Sequence, residues 1–253
     1  MKAPFPWFGG KRRVAPEIWS AFGDVHNYVE PFAGSLAVLL ERPAAHQGGA
    51  SGAETVNDAD AYLANFWRAV AADPEAVARE ADWPVQEVDL FARHLWLVTH
   101  GRERLAALEA DPEHYDARVA GWWVWGQCAW IGSGWCSGTG PWTLGNAGQG
   151  VKRQLPHLGN AGQGVNRGSD MLGGGSGAPP ATRDMSLWAR GEEPLVYGYM
   201  HALQARLRRV RVCCGDWSRV LTDGALAYGT TVGVLLDPPY DEELRTRGLY
   251  ATE

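Results

Sequence analysis

The run TVGVLLDPPY at 231–240 constrains the fold of this chain more than any other segment. A short apolar run without polar alternation, bounded by turn residues, reads as a strand covered on both faces. Such strands belong to parallel sheets flanked by helices. Two successive prolines stop this one, because proline fixes φ and donates no hydrogen bond to a ladder. The side chains of Asp237, Pro238, Pro239 and Tyr240 therefore emerge at a strand's carboxyl end, where open α/β sheets bind their ligands. There an Asp oxygen and a proline carbonyl can accept both hydrogens of a planar amine, and a tyrosine offers a flat face to an extruded base. The competing reading of the tetrapeptide is a strand-terminating turn whose Asp caps a helix.

Two more strand ends repeat the pattern. Residues 28–40, YVEPFAGSLAVLL, read as a short apolar strand, a turn at Gly34 and an apolar helix start. Glycine allows a turn that no side chain would tolerate, and a helix start offers free N–H groups. The loop Glu30, Pro31, Phe32, Ala33, Gly34, Ser35 thus suits the amino-acid end of a nucleoside cofactor, with Glu30 facing positive charge; a plain βα turn is the alternative. Residues 55–70, TVNDADAYLANFWRAV, read as a strand end and an amphipathic helix with Leu63, Phe66, Trp67 and Val70 on one face. Asn57-Asp58 falls at that strand's end, where an acid accepts ribose hydroxyls or, equally, caps the helix. Near the N-terminus, Trp7-Phe8-Gly9-Gly10-Lys11 sets an aromatic beside glycines and a lysine, suited to a flat heterocycle with an anionic tail or to a simple basic loop.

Between these strand ends the composition changes. Residues 74–120 are Ala-, Glu- and Arg-rich with helical periodicity, punctuated by Pro74, Pro84 and Pro112. Six of the thirteen tryptophans then lie between Trp122 and Trp142, and fifteen of the thirty-two glycines between Gly132 and Gly177. That crowding makes Trp122, Trp123, Trp125, Trp130 and Trp135 mostly the core of a small glycine-rich module. The octapeptide LGNAGQGV occurs at 144–151 and 158–165, too few copies for a solenoid and better read as paired loops. LGGGSGAPPA at 172–181 reads as a flexible linker. Order resumes after about residue 186 with a basic amphipathic helix, YMHALQARLRR, then a strand, VRVCC, ending at Gly215-Asp216-Trp217, and a short helix, SRVLTDGA. Strands alternating with helices on both sides indicate an α/β fold with a mostly parallel sheet. The expected catalytic domain is discontinuous, 1–70 and 201–253, with an inserted module at 71–200.

The net charge of −6 argues against a protein that coats nucleic acid, yet leaves room for a local basic groove. Arg206, Arg208, Arg209 and Arg211 form one candidate cluster, and Lys152, Arg153 and Arg167 a looser one. No apolar run approaches the roughly 18 residues of a membrane span. The N-terminus lacks the apolar core of a signal peptide, so a cytoplasmic location is expected. Cys128, Cys136, Cys213 and Cys214 show neither zinc nor disulfide spacing and read as inert buried thiols, the adjacent pair on opposite faces of a strand.

Taken in order, these elements resemble the Dam-type adenine-N6 DNA methyltransferases, the D12 class of phage and bacterial enzymes. The resemblance rests on Trp7, Gly9, Gly10 and Lys11; on Glu30, Pro31, Phe32 and Gly34; on Asn57 and Asp58; on Gly215, Asp216 and Trp217; and on Asp237 to Tyr240. It implies a Rossmann-like sheet that binds S-adenosylmethionine through Trp7, Gly9, Gly10, Lys11, the loop from Glu30 to Ser35, Asp58, Asp216 and Trp217. Asp237 and the Pro238 carbonyl would grip the N6 amine of a flipped adenine, Tyr240 would stack on it, and no metal would take part. The 71–200 insertion would read double-stranded DNA, with Lys152, Arg153 and Arg167 on the backbone. The family continues with three further strands where this chain ends at Glu253. A fragment, a truncated gene and an enzyme completed by a second polypeptide are the three expectations. Related methyltransferases of cytosine N4, an RNA base or a protein glutamine, and a non-catalytic DNA-binding remnant, are the alternatives.

Overall fold

The computed structural model describes residues 1–7, 10–44, 52–108, 110–111, 113–130, 135–136 and 195–238. Gly9, Pro239, Tyr240, Lys152, Arg153, Arg167, both octapeptides and the 172–181 run lie outside them.

Four strands form one sheet: β1 (Asn27–Glu30), β2 (Ala53–Asp58), β3 (Val210–Cys214) and β4 (Val232–Val234). Their order is β3-β2-β1-β4 and every pairing is parallel. The register sets Glu30 opposite Val56, Asp58 opposite Cys214 and Val29 opposite Val234, so all four carboxyl ends share one edge of the sheet. Successive strands run outward from β1 through β2 to β3, and β4 then returns to the other side of β1. This reversal opens a crevice between β1 and β4, the place where doubly wound sheets bind ligands.

β1 and β2 are buried nearly throughout, as the apolar reading of both segments requires. β4 is less buried than its apolar run suggests, and among the described residues it is paired on one side only. Val232 and Leu236 are accordingly exposed, as is Val212 of β3. Apolar composition alone cannot separate a central from a flanking strand, since both carry the same side chains.

The helices follow local signals. α1 spans Ala15–Phe22 with Pro16 in its first turn, and α2 is the single turn Ala37–Leu40. α3 (Ala61–Ala72) starts where the Asp60 carboxylate accepts the Tyr62 N–H at 2.8 Å, and it buries Leu63, Phe66, Trp67 and Val70 as its periodicity requires. α4 (Pro74–Ala81) is capped by Asp73 with Pro74 at its first position. α5 (Glu87–Trp96) runs into a π-turn at Leu97–Gly101 and then α6 (Arg102–Leu105). α7 (Ala117–Ala129) is capped by Asp116, and α8 is Leu195–Leu207. α7 lies against α4 at Gly121, where a Cβ would stand 2.3 Å from the Glu80 Cβ. α9 (Asp223–Leu226) follows β3.

One hydrophobic cluster runs from Ala3 to Leu207 and takes in the sheet, α3, α4, α7 and α8. Trp123 and Trp125 are fully buried in it, with Phe5 edge-on to Trp123 at 4.9 Å. Trp130 and Trp135 are buried and Trp122 half-buried, so these five tryptophans pack as core, but in the cluster shared with the sheet rather than in one of a separate module. The Arg93 guanidinium sits among Trp83, Trp122 and Trp125 at 5.1, 5.1 and 4.5 Å, which partners a charge that burial disfavours.

Arg206 departs from its expected place in a basic groove. It donates to both carboxylate oxygens of Glu54, at 2.7 and 2.9 Å, and Arg42 pairs with the same carboxylate at 3.1 Å. This buried triad locks α8 onto β2. Arg208, Arg209 and Arg211 are exposed.

Candidate active site

The carboxyl edge of the sheet gathers acids from adjacent strands. Glu30 ends β1, is 4% exposed, and accepts a hydrogen bond from the Tyr28 hydroxyl at 2.9 Å. Burial raises its pKa to about 8; the Tyr28 and Leu39 hydrogen bonds work against that shift, and the nearby charges of Asp237 and Asp58 add to it. Asp58 ends β2, and burial raises its pKa against hydrogen bonds from Asp60, Gly34 and Ala59. Its Oδ2 accepts the Gly34 N–H at 2.9 Å and its Oδ1 accepts the Asp60 N–H at 3.0 Å.

Gly34 turns with φ +48°, and a Cβ there would stand 2.4 Å from the Trp7 Nε1. Glycine is thus required twice over, for a left-handed turn and for the indole lying against it. The Asn57 amide ties the neighbouring loops together. Its Nδ2 donates to the Pro31 carbonyl at 3.1 Å and the Gly215 carbonyl at 2.9 Å, while the Ala33 N–H donates to the Asn57 carbonyl at 2.9 Å. Asn57 therefore aligns the loops after β1 and β3.

Past β3, the Asp216 carboxylate folds onto the N–H and hydroxyl of Ser218, and these bonds hold its pKa below the ordinary carboxylate value. Trp217 stands 6.0 Å from Phe32, ring centre to ring centre, and is exposed. Past β4, Leu235 still bonds to Val29, and two residues later Asp237 meets the N-terminal segment. Its Oδ2 lies 2.7 Å from the Lys11 Nζ. Lys11 is held there by backbone bonds from Gly10 to Trp7 and from Val14 to Lys11.

Trp7, Gly10, Lys11, Glu30, Phe32, Gly34, Asp58, Asp216, Trp217 and Asp237 thus belong to one edge of the sheet or to segments bonded to it. Pro31, Ala33 and Ser35 are buried within the turn after β1, and Pro238 is exposed just past Asp237. Two contributors were not anticipated. Tyr28 shares a face of β1 with Glu30, a relation available from the two-residue period of a strand. Asp60 caps α3 while burial, and then the charge of Asp58, raises its pKa to about 7; the Asp-x-Asp spacing at 58–60 was its only signal.

A cavity of about 970 Å³ lies beside the ends of β2 and β3, lined by Asp60, Tyr62, Arg102, Cys213, Cys214 and Arg219 among others. Cys213 and Cys214 border this space and are half-buried, unlike the inert buried thiols expected; Cys128 and Cys136 are buried, and none of the four is in a disulfide.

A four-stranded parallel sheet with acids at its carboxyl edge and a glycine turn after β1 is compatible with the methyltransferase class of α/β proteins. Residues 7–92 match the family model described as D12 class N6 adenine-specific DNA methyltransferase. The matched stretch takes in Trp7, Lys11, Glu30, Gly34 and Asp58. No curated protein matches the chain. No described helix is long and apolar enough to cross a membrane.

Proposed function

We propose that this chain transfers the methyl group of S-adenosylmethionine to the N6 amine of adenine in double-stranded DNA. The observation that carries this reading is the placement of Glu30, Asp58 and Asp237 at the carboxyl ends of three adjacent parallel strands, around the crevice beside β1. The acids fit a cationic cofactor. Glu30 is buried close enough to Asp58 and Asp237 for both charges to raise its pKa, and a sulfonium or ammonium beside it would relieve that repulsion. Backbone N–H groups of Gly34, Asp60 and Ala59 take three of the acceptor sites of the Asp58 carboxylate, which keeps one for a ligand hydroxyl or amine. Asp216 and Trp217, the latter 6.0 Å from Phe32 of the turn after β1, are the adenine-facing pair of this reading.

The cofactor supplies an electrophilic methyl group when bound. The chain's own residues position the reactants. Asp237 and the Pro238 carbonyl accept the two hydrogens of the target amine and aim its lone pair. Pro239 stiffens that backbone and Tyr240 stacks on the flipped base. The Asp237 carboxylate stabilises positive charge as it develops on nitrogen, so positioning and electrostatics carry the rate. Residues 71–200 contribute target recognition, with Lys152, Arg153 and Arg167 on the DNA backbone.

Calorimetric titration with the demethylated cofactor tests the first half. Saturable binding that is lost in Asp58→Ala and Glu30→Ala supports it, and no binding to a folded, monodisperse chain sinks it. Mass spectrometry of DNA incubated with protein and cofactor tests the second half. N6-methyladenine is expected, and N4-methylcytosine would redirect the assignment.

A further inference from the structure

The Lys11 ammonium lies 2.7 Å from the Asp237 carboxylate, with both side chains about a third exposed at the open edge of the sheet. Under the proposed reading, on which this inference rests, that carboxylate must accept hydrogens from the substrate's amine. The lysine already presents such hydrogens to it. The substrate nitrogen turns cationic as it takes the methyl group, and an ammonium left at Oδ2 of the same carboxylate would repel it. We propose that Lys11 is a resident amine that fills the acceptor site at Asp237 Oδ2 and is displaced when a substrate amine binds there.

Three observations support the assignment. The pair is not an accident of a free tail. Trp7 is wedged against Gly34, and the bonds from Gly10 to Trp7 and from Val14 to Lys11 shape the turn that delivers the lysine. The edge is otherwise acidic, with Glu30 and Asp58 close by, so an amine is the occupant that the local charge selects. Finally, the pair is partly solvated, and pairs of that kind are weak enough to be exchanged. Lys11 therefore acts as a selectivity device. A ligand that does not deliver an amine to Asp237 leaves the ammonium in place, whereas an adenine amine replaces it.

The chain contains three lysines, Lys2, Lys11 and Lys152, so reductive methylation read by peptide mass spectrometry resolves Lys11 cleanly. In the full chain, Lys11 should react several-fold more slowly than the exposed Lys2. Asp237→Asn should raise its rate toward that of Lys2. Saturating deoxyadenosine, added with the demethylated cofactor so that the nucleoside cannot occupy the cofactor's own adenine site, should raise it as well. In Lys11→Met, deoxyadenosine binding under the same conditions should tighten by about three- to tenfold, the range a partly exposed ion pair supplies. A Lys11 rate unmoved by Asp237→Asn, or weaker nucleoside binding in a folded Lys11→Met, overturns the proposal. If the unaltered protein binds deoxyadenosine and methylates DNA with no response at Lys11, the displacement step alone is wrong. If it neither binds the nucleoside nor transfers a methyl group, the methyltransferase reading falls and takes this inference with it.

Discussion

Single atoms decide much of the site's geometry. At Gly34 a methyl group would enter the Trp7 indole and also occupy a left-handed backbone. Gly34→Ala should therefore lower stability by about 1–3 kcal/mol through backbone strain alone, with further loss from displacing Trp7, read as a lower melting temperature together with weaker cofactor binding. The buried acids set a pH dependence of unusual sign. Glu30 titrates near 8 in the fold against an ordinary value of 4.5, and Asp60 near 7 against 3.8. A carboxyl whose pKa is raised by folding binds more protons folded than unfolded between its two values, so stability falls as pH rises through that window. Denaturation midpoints should accordingly drop between pH 6 and pH 8.5, and Glu30→Gln should flatten the slope. A midpoint that rises over this range would show that neither acid is held protonated. In the same way, cofactor binding at pH 7 should expel a proton from Glu30, seen as a binding heat that changes with the ionisation enthalpy of the buffer.

Among the elements, β2 does the most organising. Asn57 and Asp58 at its carboxyl end tie the loops that follow β1 and β3, while Glu54 near its start anchors α8 through Arg206. Removing one member of a buried charge network leaves its partners uncompensated, so Glu54→Ala should cost about 3–5 kcal/mol. Urea denaturation measures this, and a loss below about 1 kcal/mol would mean that the arginines find solvent instead. The alternation of strand and helix was readable because periodicity and capping are local. The face of α3 and the Gly34 turn stand where residue spacing puts them, whereas the cap of α3 is Asp60 rather than Asn57 or Asp58. The capture of Arg206 by Glu54 was not readable, since it depends on what lies opposite in space.

Across the whole molecule, the helices of 74–129 and the sheet share one hydrophobic cluster. Trp123 lies at its centre, where Phe5 and Phe66 from distant parts of the chain meet it at 4.9 and 5.9 Å. Trp123→Ala should cost about 3–5 kcal/mol and should lower the tryptophan-fluorescence and circular-dichroism transitions of the described core together. A shift confined to one probe would show that the helices and sheet unfold separately.

The residues and their order determined the α/β class, the strand ends and the family resemblance. Those properties live in short stretches of chain, where glycine, proline and the apolar period act on their immediate neighbours. Tertiary structure alone decided which strand ends became neighbours. It brought Lys11 to Asp237 across more than two hundred residues and buried Glu30 within reach of two other acids. Charge interactions depend on distance and burial, and neither quantity exists until the sheet has closed.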